Sequence, residues 1–127
     1  MPNPVQLFLD RIGQRDIAGA LTFVAEDVVF EPQGPNSLPI YGRFEGRAGV
    51  QQLFGILSEI FETEVFEVRH WGEAPGLVFA HGFMQHRVRK TGRRFKSEWA
   101  LVVQVRDGLI HSWKIFEDTA AFQAAYA

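Results

Sequence analysis

Residues 95–118 read FKSEWALVVQVRDGLIHSWKIFED, and the alternation within them decides the fold. Two runs with apolar side chains at alternate positions flank Arg106-Asp107-Gly108. An Asp-Gly pair between such runs is the strongest short signal for a β-hairpin. Successive strand residues point to opposite faces, so Trp99, Leu101 and Val103 share one face, with Trp113, Ile115 and Glu117 joining it on the partner strand. A carboxylate that ends a row of aromatic and aliphatic side chains reads as a lined pocket holding one polar group.

Working back from this hairpin, residues 64–72 and 76–90 are also strand-like, and turns at Pro75-Gly76, Thr91-Gly92 and Asp107-Gly108 link them to strands at 94–106 and 109–117. Before them lies the best helix, opened by Gly46-Arg47. Its Val50, Leu53, Phe54, Leu57, Ile60 and Phe61 recur at helical spacing, while Gln51, Gln52, Ser58, Glu59 and Glu62 face away. Gly55 sits inside that helix at a cost of about 1 kcal/mol relative to alanine, and a close approach to the sheet would account for it. Asn3-Pro4 starts a first helix with Val5, Phe8 and Ile12 on one side, and Asp16 caps a second, shorter one. Glu26-Asp27 turns the chain, Val28-Val29-Phe30 forms a short strand into Glu31-Pro32, and residues 33–45 are loop. The alanine-rich tail from Thr119 to Tyr126 forms a terminal helix. Helices first and an antiparallel meander afterwards predict an α+β fold.

At 127 residues the chain is expected to form a single domain, 1–127, and 46% hydrophobic residues with 12 Phe supply its core. A net charge of -2 offers no basic footprint for nucleic acid. The cluster Arg87, Arg89, Lys90, Arg93, Arg94 and Lys96 straddles a turn and reads as a solvated hairpin tip. Without cysteine there is no disulfide, thiolate metal site or thiol nucleophile. No apolar run approaches the roughly 20 residues of a membrane helix, and Asp10 and Arg11 interrupt any signal-type core. The expectation is a cytoplasmic protein that contacts no membrane. The sheet face opposite Trp99 carries Ala100, Val102 and Phe83, more apolar than a solvated face should be, which predicts a homodimer packed sheet to sheet.

Several words then occur in a telling order: Glu31-Pro32, Leu38-Pro39-Ile40-Tyr41-Gly42, Phe44-Glu45-Gly46-Arg47, Thr91-Gly92-Arg93, the Trp99 strand, Asp107-Gly108-Leu109-Ile110 and Glu117-Asp118-Thr119-Ala120. In these the chain resembles the SnoaL-like, ketosteroid-isomerase-related branch of the nuclear transport factor 2-like superfamily. The resemblance implies a cone-shaped barrel, a curved antiparallel sheet wrapped around a long helix, with an apolar pocket at the wide end and frequent dimerisation through the sheet. It implies isomerase, cyclase or epoxide hydrolase activity, or ligand binding without chemistry. Carried over residue by residue, Phe8 stands where ketosteroid isomerases keep a tyrosine donor, Leu101 where they keep a protonated aspartate, and Glu31 before Pro32 where they keep the general base. Without donors for a developing enolate, steroid isomerisation by that machinery is not expected. An epoxide hydrolase would want an Asp-Arg-Asp arrangement, and the inner rows carry no aspartate.

The candidate acid–base residues are therefore Glu31, His86 and Glu117. Each has a plain alternative: a strand-end carboxylate in water for Glu31, a satisfied core imidazole for His86 and a salt bridge for Glu117. His86 is expected to face the pocket with Met84 and to pair with a carboxylate as a proton shuttle. The expected lining is Phe8, Tyr41, Phe54, Met84, Trp99, Leu101 and Trp113, with Trp99 and Tyr41 as hydrogen-bond donors. The expected ligand is a small apolar carbonyl compound, and no cofactor is called for. Histidines at 70, 81, 86 and 111 make no metal-binding spacing; His70 and His111 stand alone.

Overall fold

The computed structural model describes residues 2–127. The chain runs α1 (Pro4–Gly13), α2 (Ile17–Leu21), β1 (Val24–Pro32), β2 (Phe44–Glu45), α3 (Gly46–Ile60), β3 (Phe61–Ala74), β4 (Leu77–Val88), β5 (Arg94–Arg106), β6 (Leu109–Glu117) and α4 (Thr119–Tyr126). One sheet holds the strands in the order β2-β1-β6-β5-β4-β3. Strands β3 to β6 form the expected meander. The sheet as a whole is mixed, because β1 lies parallel to β6. It does not close, and β2 and β3 are its edges.

The helix starts follow their caps. Asn3 accepts from the Gln6 N–H, Asp16 from Gly19 and Asp118 from Ala121, each satisfying an otherwise unpaired first-turn donor. In the β5–β6 hairpin Trp99 lies opposite Glu117, Leu101 opposite Ile115 and Val103 opposite Trp113, so the two rows share the expected face, with a register shift between Gln104 and Val105 that sequence reading did not anticipate. Its two-residue turn takes positive φ at both positions, 54° at Asp107 and 74° at Gly108, as a tight hairpin requires. Strand β1 begins earlier than expected, at Val24. Glu26-Asp27 falls within a register shift between Val24 and Val29, a bulge inside the strand where a turn was expected.

Gly55 does not approach the sheet: a Cβ there would meet nothing. The close contact is at Gly49, where a Cβ would come within 2.8 Å of the Phe44 carbonyl carbon and push α3 off β2. Gly49, Val50 and Leu53 are the buried residues of that helix.

The basic cluster has specific structural partners. Arg93 donates to the carbonyls of Ala124 and Ala127, Thr91 to that of Ala125, and Lys90 lies 3.5 Å from the centre of the Tyr126 ring. These contacts satisfy the carbonyl end of α4 and latch that helix to the β4–β5 turn. Arg94 pairs with Glu64, and Arg87 and Arg89 lie near Glu62.

Candidate functional site

Two aromatic clusters fill the concave side of the sheet. In the first, Trp113 stacks on Phe30 at 4.7 Å and 4°, and Phe8 packs against Phe30, Phe54 and Trp113 at 5.2–5.7 Å. In the second, Phe122 of α4 meets Phe61, Phe95 and Tyr41 at 5.4–5.8 Å. Phe8, Met84, Leu101 and Trp113 are all buried, and Phe54 is partly so. The residues expected to line an open pocket therefore pack on one another. Two clefts lie elsewhere. One of about 470 Å³ sits by Pro75, Gln104, Arg106 and His111, and a polar one of about 200 Å³ sits by Glu31, Asn36 and Arg43.

Glu117 lies at the end of the row, where the hairpin register puts it beside Trp99. Its Oε2 accepts a 2.9 Å hydrogen bond from the Tyr41 hydroxyl, contributed by the loop before α3. Burial pushes the Glu117 carboxyl up to about 7, and the Tyr41 hydrogen bond only partly opposes the shift. Burial and the Glu117 charge raise the Tyr41 phenol well above its usual range, so it stays a donor. The plain alternative of a salt bridge is absent: no cation pairs with Glu117 among the described residues.

Trp99 is 1% exposed, and its indole N–H has no hydrogen-bond partner in the protein. Leaving such a buried donor unsatisfied costs about 1–3 kcal/mol, so it demands an explanation. Gly82 makes the position possible, since a Cβ there would lie 2.5 Å from the indole Cζ2. On the other side Phe66, on the edge strand β3 and 41% exposed, lies flat on the indole at 4.9 Å and 9°.

The other two acid–base candidates sit apart from this group. His86 is buried on the concave face, stacked on Phe61 at 4.4 Å, and its Nδ1 lies 2.9 Å from the Thr63 hydroxyl. Its partner is thus a threonine, and the expected carboxylate pairing does not occur. Burial lowers its pKa to about 4, so the ring is neutral. Glu31 has the opposite strand parity to Phe30, which stacks inside, and it pairs with Arg43 at 3.3 Å in the polar cleft. Glu31 thus faces an arginine charge in a polar cleft and lies away from the aromatic interior.

The outer face carries the expected apolar patch. Phe79 and Phe116 are 37% and 44% exposed and lie opposite Val102 and Ala100 in the register. Sequence reading missed one further arrangement on that face. His70 does not stand alone; the register puts it directly across from His81. Among the described residues no group of three or more His, Asp or Glu side chains is arranged to hold a metal ion, and no helix is long and apolar enough to cross a membrane.

The model of the SnoaL-like domain matches residues 5–113. The chain belongs to the SnoaL-like family. A nuclear transport factor 2-like protein from Burkholderia xenovorans LB400 is 28% identical and superposes with a TM-score of 0.89 over 98% of this chain and 93% of that one. TerC, crystallised with polyporic acid, is 20% identical with a TM-score of 0.85 over 97% and 95% of the two chains. A protein from Xanthomonas campestris provisionally named a polyketide cyclase is 19% identical, with a TM-score of 0.79 over 98% and 94%. No protein of curated function matches the sequence significantly.

Proposed function

We propose that the chain binds a small, largely apolar carbonyl compound at Glu117, Tyr41 and Trp99, and performs cofactor-independent acid–base chemistry of the isomerase or cyclase type on it. The observation that carries this reading is a partly buried carboxyl, raised to about 7 and held by Tyr41, on the strand position directly across from Trp99, whose buried indole N–H has no partner. A carboxylate with that pKa is divided between its two forms near neutral pH, which suits it to take a proton from carbon and return it. The indole N–H supplies what an enolate oxygen needs, a donor already fixed in a dry site. Phe66, flat on the indole at an open edge, is the ring whose rotation admits the ligand. Glu31 and His86 are left outside the mechanism, one solvated by an ion pair and the other neutral and committed to Thr63. The isomerase and cyclase names among structural neighbours are compatible with this chemistry.

A second reading, a binding module without chemistry, draws on the aromatic filling of the interior. In either case we propose a homodimer through Phe79, Ala100, Val102 and Phe116 on the outer face, because an exposed aromatic patch of this kind is an association surface.

The test uses polyporic acid and a simple cyclic enone as probes. Binding is followed by tryptophan fluorescence, and exchange of the enone's α-protons in deuterated water by NMR. Catalysis predicts exchange that tracks a titration near 7, is lost in Glu117→Gln and persists in Glu31→Gln. Binding without exchange selects the second reading. Undiminished exchange in Glu117→Gln would falsify the assigned role.

A further inference from the structure

We propose that α4 is a plug supplied by the chain itself: its Phe122 ring fills the place of a ligand's ring beside Tyr41, and the site opens when α4 swings out. The proposal rests on the reading of Glu117, Tyr41 and Trp99 as the ligand site. Rotation of Phe66 uncovers the Trp99 indole, but the other end of that group stays filled. Of the two aromatic clusters, only the one around Phe122 includes Tyr41, whose hydroxyl holds Glu117. Phe122 is wholly buried and stands edge-on to the Tyr41 ring, 5.8 Å away at 89°. Phe61 and Phe95 enclose it further, each at 5.4 Å. With Phe122 removed, these three rings bound a space of about phenyl size, so the ligand class that fits is a cyclic compound.

Among the elements that fill the interior, α4 is held least firmly. Phe8, Phe30, Phe54 and Trp113 belong to α1, β1, α3 and β6, the body of the fold. By contrast α4 packs chiefly on one strand, β5, and buries two residues, Phe122 and Ala125. Among the described residues no backbone-to-backbone hydrogen bond joins 119–127 to another element. A helix this short is marginal in water by itself, so its contacts at either end decide where it lies. The first end is a pivot. Asp118 caps the Ala121 N–H and donates its own N–H to the Ser97 hydroxyl at 2.9 Å, directly after Glu117. The far end is a latch of side chains from the β4–β5 turn: Thr91 and Arg93 on carbonyls, and Lys90 on the Tyr126 ring. Contacts of this kind break without disturbing the sheet, which is how a local element opens below the global unfolding limit.

The experiment uses the full chain with polyporic acid as the probe, and binding is followed by tryptophan fluorescence. The double variant Thr91→Ala, Arg93→Ala removes the latch donors and alters no residue of the site. The apparent affinity of a ligand scales with the open fraction of its site, so releasing the latch should tighten probe binding about 10-fold and speed association, even as urea stability falls. Phe122→Ala empties the ring's place directly and should also bind the probe more tightly. Should that variant not fold, hydrogen exchange on unaltered protein supplies a second measurement. Amides at 122–126 are expected to exchange well before those of β5, and faster still with the probe bound. Weaker or unchanged binding in the latch variant, or α4 exchange as slow as that of β5, would overturn the plug. Tighter binding in the latch variant without proton exchange of a cyclic enone keeps the plug and removes the catalytic role of Glu117. Fast α4 exchange with no probe binding by any variant overturns both the site and the plug.

Discussion

Replacing Glu117 by glutamine should stabilise the protein at high pH and leave it unchanged at low pH. The magnitude follows from the position of the group. Its carboxyl titrates at about 7 in the folded chain, against an ordinary value of 4.5. A raised carboxyl pKa means that the folded state holds the proton more tightly than the unfolded state. The associated stability is thus fully present below about 4.5 and declines as pH rises to about 7. At ~1.36 kcal/mol per unit this amounts to about 3 kcal/mol. Glutamine has nearly the same shape, accepts the Tyr41 hydrogen bond through its amide oxygen, and does not ionise. The two proteins should unfold with the same free energy near pH 4 and diverge by about 3 kcal/mol at pH 8, with the variant the more stable. For a chain of this size each kcal/mol is worth roughly 3–5 °C in Tm, so the difference at pH 8 approaches about 10 °C. Urea unfolding at closely spaced pH values, together with thermal scans, measures it. Parallel stability curves from pH 4 to 8 would refute the claim that Glu117 is held in a desolvating environment, and with it the basis for its acid–base role. A residue whose replacement stabilises the fold is kept for function.

Tyr41→Phe removes the hydrogen bond that favours the ionised carboxylate, so Glu117 should titrate about 1–2 units higher, seen by carbon-13 NMR of its carboxyl. Trp99→Phe deletes the unpartnered N–H; the recovered desolvation offsets the lost packing, leaving urea stability within about 1 kcal/mol while probe affinity falls about 3- to 10-fold. Gly82→Ala drives a Cβ into the Glu67 carbonyl and the Trp99 ring and should cost about 1–3 kcal/mol or more in denaturant unfolding. Phe116→Asp puts a charge into the proposed dimer face and should convert the dimer mass to a monomer mass in native mass spectrometry without loss of folded signal; an unchanged dimer would place the interface elsewhere.

The hairpin from Phe95 to Asp118 was legible because strand alternation and turn chemistry are local properties. Its turn and inward row agree with the sequence reading, but the register shift between Gln104 and Val105 that brings Trp113 opposite Val103 was not legible. The helix caps at Asn3 and Asp16 were legible for the same reason. Failures occurred where a residue's role depends on what lies across space. Gly55 and Gly49 are both glycines in one helix, and only the position of Phe44 distinguishes the idle one from the one in contact. Tyr41 and Glu117 are 76 positions apart, and no spacing rule joins them. Glu31 matched a motif that places a base before a proline, but its strand parity and Arg43 put it in a solvated cleft.

The sequence by itself determined the element order, the β5–β6 face and the family, since these rest on periodicity, turn residues and the order of short motifs. Only the tertiary structure decided which carboxyl is chemically unusual. The pKa of an acid depends on the water removed from it and the donors aimed at it, and here the donor is Tyr41, from the loop before α3, 76 positions away in sequence. The same reason separates His70 from the lone residue it resembles in sequence. A bulge on β3 and the pairing with β4 set its nitrogen 3.1 Å from that of His81.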